Sequence, residues 1–279
     1  TWLARNPGFP RRGRTTVIGT VNGVSIGYDD VGTGLPVAFI HGFPHDRTLW
    51  SAQLGALPVP TRTLACDLRG FGESGGVANT IDDYARDVTA WLRGLGIDRA
   101  IIVGLSMGGY VALALWRLDP ARGRALVLVD TRAGADDAAG RARRDEQIAM
   151  ARTLGSDAVA DQLVQGMVGK TTRENRPEIR DRVHSMLAHA PVQGIVGALA
   201  AMRDRANSVP TLATITVPTL VIVGDEDVLT PAAESRAMHA AITGSRLEIV
   251  SGAGHLSNVE RPAAFNHILG EFLASLAYT

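Results

Sequence analysis

The 279-residue sequence predicts an α/β protein: a mostly parallel, doubly wound, eight-stranded sheet with a helical cap inserted over one edge. Three observations predict it. Short β-branched runs alternate with amphipathic helical patterns along most of the chain. The later runs, such as "ALVLVD" and "TLVIVGD", are apolar on both alternations, as in strands covered on both faces of a parallel sheet. From Thr131 to about Val217 the strands stop and only helical patterns remain, too long a stretch for a loop in a compact domain. That segment leaves after one strand and returns before another. The expected division is therefore a core of residues 1–130 and 218–279 with a cap of residues 131–217.

The first two strands, Thr15–Thr20 and Val24–Asp30, flank Asn22-Gly23, a pair suited to a tight hairpin. Strands at Val37–His41 and Arg62–Asp67 follow. In "TIDDYARDVTAWLRGLG", Ile81, Tyr84, Val88, Trp91, Leu92 and Leu95 recur at three- and four-residue spacing, which makes one apolar helix face. Thr80 with Asp83 three residues on resembles a capping box, and Gly96 suits the stop. Strand Ala100–Gly104 runs through "GLSMGG" into a helix, and Ala125–Asp130 is the last strand before the cap. Within the cap the helical patterns include Ala138–Leu154, Ala158–Val168 and Pro177–Ala190. Strands Thr219–Gly224 and Leu247–Ser251 complete the sheet. A final helix starting at Pro262 is expected to bury Phe265, Ile268, Leu269, Phe272 and Leu276.

Composition narrows the function. Lys+Arg and Asp+Glu balance at 28 each, and the one basic run is the short Arg11-Arg12-Gly13-Arg14, so nucleic acid is not an expected partner. Cys66 stands alone, which rules out an internal disulfide and a cysteine-built metal site. No stretch approaches 18 uninterrupted apolar residues, and residues 1–14 contain no apolar signal-peptide core. A cytoplasmic protein with no membrane partner is the expectation.

The chemistry gathers on loops after strands. Ser106 sits in Gly104-Leu105-Ser106-Met107-Gly108, between an apolar strand and a helix. A strained turn that exposes a hydroxyl needs neighbours without side chains two residues to either side, and Gly104 and Gly108 supply that. The helix that follows aims its first N–H groups at the same place, which favours a developing oxyanion. A serine nucleophile needs a base. His184, His189, His239 and His267 lie in helical patterns and read as surface or packing histidines. His255 lies on the glycine-rich loop "SGAGHLS" after the last strand. The carboxylate that would orient it has four candidates: Asp225, Glu226 and Asp227 after one strand, and Asp130 after another. Strand alternation leaves Asp225 and Asp227 on one face, unseparated. His41 and His45 have metal-like spacing, but without a third histidine or a carboxylate cluster nearby no metal is expected. The loop that begins at His41 reads instead as lending a backbone N–H to the oxyanion site, with that of Met107 as the second.

Together "HGFP" (41–44), "DLRGFGESG" (67–75), "GLSMGG" (104–109), "GDEDVLTP" (224–231) and "GAGHLSNVERP" (252–262) resemble the α/β-hydrolase superfamily, in its serine-nucleophile branch, across nearly the whole core. The resemblance implies the α/β-hydrolase fold, Asp227 as the acid, and the backbone N–H groups of Phe43 and Met107 as oxyanion donors. It also implies hydrolysis of carboxylic esters through an acyl-enzyme, with no cofactor and no metal. Serine rather than aspartate at the elbow disfavours epoxide hydrolases and haloalkane dehalogenases. "HGFPHDRTLWSAQ", "GLSMGG" and "ALAAMRDRANS" look most like small-ester carboxylesterases and 3-oxoadipate enol-lactonase-like proteins, and perhydrolases share much of this. The expected activity is a carboxylesterase for short acyl chains, its partner a small-molecule ester or lactone. A lactonase or perhydrolase is the alternative. Some proteins of this fold serve as ligand receptors, and turnover of a simple ester separates them from enzymes. Leu163, Met167, Met186, Leu187, Val192, Ile195 and Met202, interleaved with Arg152, Arg173 and Arg203, are the residues from which the cap would draw a pocket wall.

Overall fold

The computed structural model describes residues 15–276; the Arg11–Arg14 run and the reading of residues 1–14 lie outside them. Strands β1 (Thr15–Val21) and β2 (Val24–Gly32) form an antiparallel hairpin. Its turn places Asn22 at φ 48° and Gly23 at φ 79°, the left-handed pair that matches the twist of the flanking strands. β3 (Leu35–Ile40), β4 (Thr61–Cys66), β5 (Ala100–Leu105), β6 (Gly123–Val129), β7 (Thr219–Gly224) and β8 (Arg246–Val250) complete one eight-stranded sheet in the order β1-β2-β4-β3-β5-β6-β7-β8. From β4 to β8 every pairing is parallel, while β2 meets β4 antiparallel. The doubly wound α/β sheet read from the sequence is therefore the observed one.

Alternation along each strand builds two cores. In β5, Ile102 joins the cluster that includes Tyr84, Trp91 and Val111 of helices α1 (Ile81–Gly94) and α2 (Met107–Leu118). Ile101 and Val103 join the opposite one, with Phe265, Leu269, Phe272 and Leu276 of the last helix (Pro262–Leu276). Each such buried side chain contributes roughly 1.5–3 kcal/mol over exposure. Of the apolar face expected on that helix, only Ile268 is half-buried. The reciprocal capping box of Thr80 and Asp83 starts α1, and Gly96 at φ 69° follows its end.

Between β6 and β7 the chain forms α3 (Ala138–Met167), α4 (Lys170–Asn175), α5 (Pro177–Ala188), α6 (Val192–Arg203) and α7 (Val209–Leu212), with no strand. α3 breaks at Gly155 (φ 82°), where the sequence pattern ending at Leu154 gives way to the one restarting at Ala158. This helical insert packs on loops at the C-terminal ends of strands. Gly194 and Gly197 lie against Gly70 and Val77 after β4, Gly166 against Leu229 after β7, and Gly169 against Gly254 after β8. α8 (Ala232–Ala241), the one-turn α9 (Ser257–Glu260) and α10, the final helix, finish the fold. Among the described residues no single helix is long and apolar enough to cross a membrane.

Candidate active site

Ser106 joins β5 to α2 with φ 54° and ψ −113°, a conformation that costs an L-residue about 1–3 kcal/mol and persists only when its surroundings dictate it. Here they do. Its N–H donates to the Val129 carbonyl (2.9 Å), and its own carbonyl accepts from Gly109 N (2.9 Å) and Thr131 Oγ1 (2.7 Å). A Cβ on Gly104 would overlap the Gly108 carbonyl, and one on Gly108 would overlap the Ile40 carbonyl at the end of β3. The glycines let three backbone segments meet around one hydroxyl, and Ser106 is the only residue of the five not fully buried.

His255 reaches this hydroxyl from the loop after β8: its Nε2 lies 2.8 Å from Ser106 Oγ, and its Nδ1 lies 2.8 Å from Asp227 Oδ2. The carboxylate only accepts, so Nδ1 carries the proton and Nε2 offers its lone pair to the serine hydroxyl. Asp227 is held by Leu229 N (2.8 Å) and Thr230 N (3.0 Å) on Oδ1 and by Thr230 Oγ1 (2.7 Å) on Oδ2. Burial opposes a charge on either partner. The imidazole and the Thr230 donors nonetheless keep the Asp227 carboxyl below its ordinary pKa, and Asp227 keeps His255 above the ordinary histidine value.

The other acid candidates are engaged elsewhere. Exposed Asp225 accepts from Gly252 N (2.7 Å) and Ser251 Oγ (3.2 Å). Glu226 accepts from Thr171 N (2.8 Å) and Thr171 Oγ1 in the insert. Asp130, fully buried at φ 43°, takes Gly224 N (2.9 Å), Ser257 N (3.2 Å) and Ser257 Oγ (2.6 Å), so it ties the loops of Asp227 and His255 together beneath the site. Burial, and then the neighbouring Asp227 charge, push its carboxyl pKa up.

Phe43 follows β3 in a turn closed by His45 N donating to Gly42 O (2.9 Å), next to a cis Phe43–Pro44 bond. The loop touches the elbow: a Cβ on Gly42 would stand 3.3 Å from Ser106 Cβ. Among the described residues, neither Phe43 N nor Met107 N has an intrachain acceptor. His41 has both ring nitrogens engaged, Nδ1 with Gly42 O (2.9 Å) and Nε2 accepting from Leu68 N (2.9 Å), so it braces the loop and has none left to share an ion with His45. Burial pushes the pKa of His45 down to about 3, so the ring is neutral. No group of three or more His, Cys, Asp or Glu among the described residues could hold a metal. The "DLRGFGES" motif is scaffold: Asp67 accepts from Arg47 N (2.8 Å) and Glu73 N (2.8 Å) and pairs with the buried Arg47 guanidinium.

Four of the expected cap wall residues, Met167, Leu187, Ile195 and Met202, are packed into the cores; Leu163, Met186 and Val192 remain half-buried. Arg173 donates to Gln165 O (2.8 Å) and Val168 O, and Arg203 pairs with Asp145 (2.6 Å) and Asp204 (2.6 Å). A cavity of about 610 Å³ at the far end of α2, lined by Arg99, Trp116, Pro120 and Pro210 among others, contains none of the residues around Ser106. Sequence reasoning weighed Asp130 and Glu226 only as candidates for the carboxylate that orients His255, and it missed Thr230 and Glu260 as partners of this site. Of the two missed, Thr230 lies three residues after Asp227, close enough in sequence to signal its role.

The sequence profile described as the Alpha/beta hydrolase family matches residues 37–268, and the chain belongs to that family. It is 31% identical to 3-oxoadipate enol-lactonase 1 of Acinetobacter baylyi over 86% of this chain and 89% of that one. A thermophilic esterase from Thermogutta terrifontis superposes with a TM-score of 0.90 at 35% identity, covering 94% of this chain and 99% of the esterase. The enol-lactonase from Burkholderia xenovorans superposes with a TM-score of 0.85 at 29% identity, covering 92% of this chain and 100% of that one.

Proposed function

We propose that this member of the alpha/beta hydrolase family cleaves carboxylic esters of short acyl chains through an acyl-enzyme, with Ser106 as nucleophile, His255 as general base and acid, and Asp227 as its orienting carboxylate. The observation that carries the reading is the unbroken hydrogen-bonded chain from Ser106 Oγ through His255 to Asp227, 2.8 Å at each link. As Ser106 Oγ bonds to the acyl carbon, His255 Nε2 takes the hydroxyl proton and the carbonyl electrons move onto oxygen. The free N–H groups of Phe43 and Met107 receive that oxyanion at the N-terminus of α2. Collapse breaks the ester C–O bond, and His255 returns the proton to the leaving alcohol. A water molecule then attacks the acyl-enzyme through the same base, releasing the acid and restoring Ser106. The sequence of steps consumes only ester and water.

The enol-lactonase relatives favour a second reading, a lactone as substrate, since the same steps open a cyclic ester. A carboxylated lactone would call for an arginine of the insert to pair with its carboxylate, and Arg173 and Arg203 are already committed. The test is a series of p-nitrophenyl esters and lactones with wild type and Ser106→Ala side by side. The expected result is preference for acyl chains of roughly two to six carbons and at least a ~10³-fold loss in the variant. Turnover by Ser106→Ala at the wild-type rate would overturn the mechanism. A carboxylated lactone that beats p-nitrophenyl butyrate by about 100-fold in kcat/KM would overturn the ester assignment. Absence of any turnover by the wild type would favour a ligand receptor.

A further inference from the structure

Glu260 is fully buried, and the chemistry of ester cleavage does not use it. One carboxylate oxygen accepts from Gly254 N (2.8 Å) and Leu256 N (3.3 Å), the peptide N–H groups on either side of His255. The other accepts from Gly169 N (2.8 Å), at the neck of the insert between α3 and α4. Loop and neck are in backbone contact: a Cβ on Gly169 would stand 2.8 Å from Gly254 N. Glu226, the residue before Asp227, grips the next turn of the same neck through Thr171. A carboxylate withdrawn from water is retained when inward-pointing donors fill its lone pairs, and three backbone N–H groups do so here. An amide at this position would turn an NH₂ toward one of those donors, so the arrangement calls for an acceptor-only group.

We propose that Glu260 is a positioning residue for His255. It holds the peptide groups flanking the imidazole, and so the distance to Ser106, while tying that loop to the seating of the helical insert. The inference rests on the reading of His255 as the base. It has an electrostatic side as well. The groups facing His255 are Asp227 from the loop after β7, Asp130 from the end of β6, Glu260 from the one-turn α9 that follows it and neutral His45 from the loop after β3. Each of the three carboxylates favours the imidazolium, so loss of the Glu260 charge lowers the pKa at which His255 becomes a base.

The test measures kcat, KM and the pH profile of kcat/KM on p-nitrophenyl acetate for Glu260→Gln and Glu260→Asp, with Ser106→Ala as the control. Glu260→Gln is expected to lower kcat roughly 10- to 100-fold with little change in KM, because a small displacement of a reacting group is costly. Its acid limb is expected to move to lower pH. Glu260→Asp keeps the charge and is expected to hold the limb near its wild-type position while recovering part of kcat; it carries the test alone if the glutamine variant does not fold. Wild-type kcat in Glu260→Gln overturns the inference. So does an equal loss in both variants with the limb unmoved, or a limb in Glu260→Asp displaced to lower pH. Activity retained by Ser106→Ala overturns the functional reading itself, and the inference with it.

Discussion

The loops that carry Ser106, Asp227 and His255 are built differently from the helical insert that packs over them. In the loops, position is set by polar atoms and by missing side chains. Asp227 takes three donors, Asp130 another three and Glu260 three more, and Gly104 and Gly108 let backbones touch. In the insert, Val183 and Leu187 are buried in one apolar core and Ile195 and Leu199 in the other, and charges such as Arg180–Asp181 and Arg203–Asp145 pair at the surface. Volume-conserving apolar swaps usually cost under about 1.5 kcal/mol, whereas a buried carboxylate deprived of a donor leaves a full desolvation penalty. On the proposed mechanism the difference gives the two regions different jobs: the loops hold a reaction geometry that tolerates almost no change, and the insert presents a surface that can vary with substrate.

The sharpest way to break that comparison is inside the loops, between two aspartates two residues apart. Asp227→Asn turns an NH₂ toward His255 Nδ1 and favours the wrong imidazole tautomer, so kcat is expected to fall by ~10³-fold or more. Asp225→Asn loses only hydrogen bonds to Ser251 and Gly252 at the surface, and is expected to be at least ~10-fold milder. Steady-state rates on one ester measure both. A larger loss at Asp225 would mean that His255 is oriented from elsewhere.

The pH profile tests the same loops without mutation. Burial works against the imidazolium, yet Asp227, with Asp130 and Glu260, holds the His255 pKa above the ordinary value. On the proposed mechanism the free base is the active form, so kcat/KM is expected to fall as pH drops through that raised pKa, with an acid limb above the ordinary ~6.5 of histidine. A limb below that value would mean that burial outweighs the carboxylates.

The same division governs what the sequence discloses. The strands and the capping box of Thr80 and Asp83 follow from local pattern, and so does the elbow, because each is specified by residues a few positions apart. Asp225 and Asp227 share a strand face and could not be separated by alternation. In the fold the turn that hands Leu229 N and Thr230 N to Asp227 distinguishes them. The contacts of Glu260 with Gly169 and of Glu226 with Thr171 span 91 and 55 residues and obey no periodicity, so nothing local announced them. Apolar residues of the insert look alike in sequence whether they pack or face a ligand, which is why Met167, Leu187, Ile195 and Met202 were grouped with the half-buried Leu163, Met186 and Val192.

That last ambiguity yields the smallest expected effect. If the insert selects substrate while the loops do chemistry, Leu163, Met186 and Val192 are the residues with surface left to offer. Truncation of each to alanine in turn removes methylenes from an apolar wall, and a methylene in such a pocket discriminates by roughly 10-fold at the low end. At least one of the three variants is therefore expected to change the ratio of kcat/KM for p-nitrophenyl butyrate over acetate by about 3- to 10-fold, with the acetate rate near wild type. Leu187→Ala supplies the contrast. Fully buried, that leucine is expected to cost about 2–5 kcal/mol of stability on truncation and to leave the ratio alone, as thermal denaturation and the same two esters would measure. An unchanged ratio in all three half-buried variants would mean that acyl length is read by the core loops, and the two regions would then share the work that their construction divides.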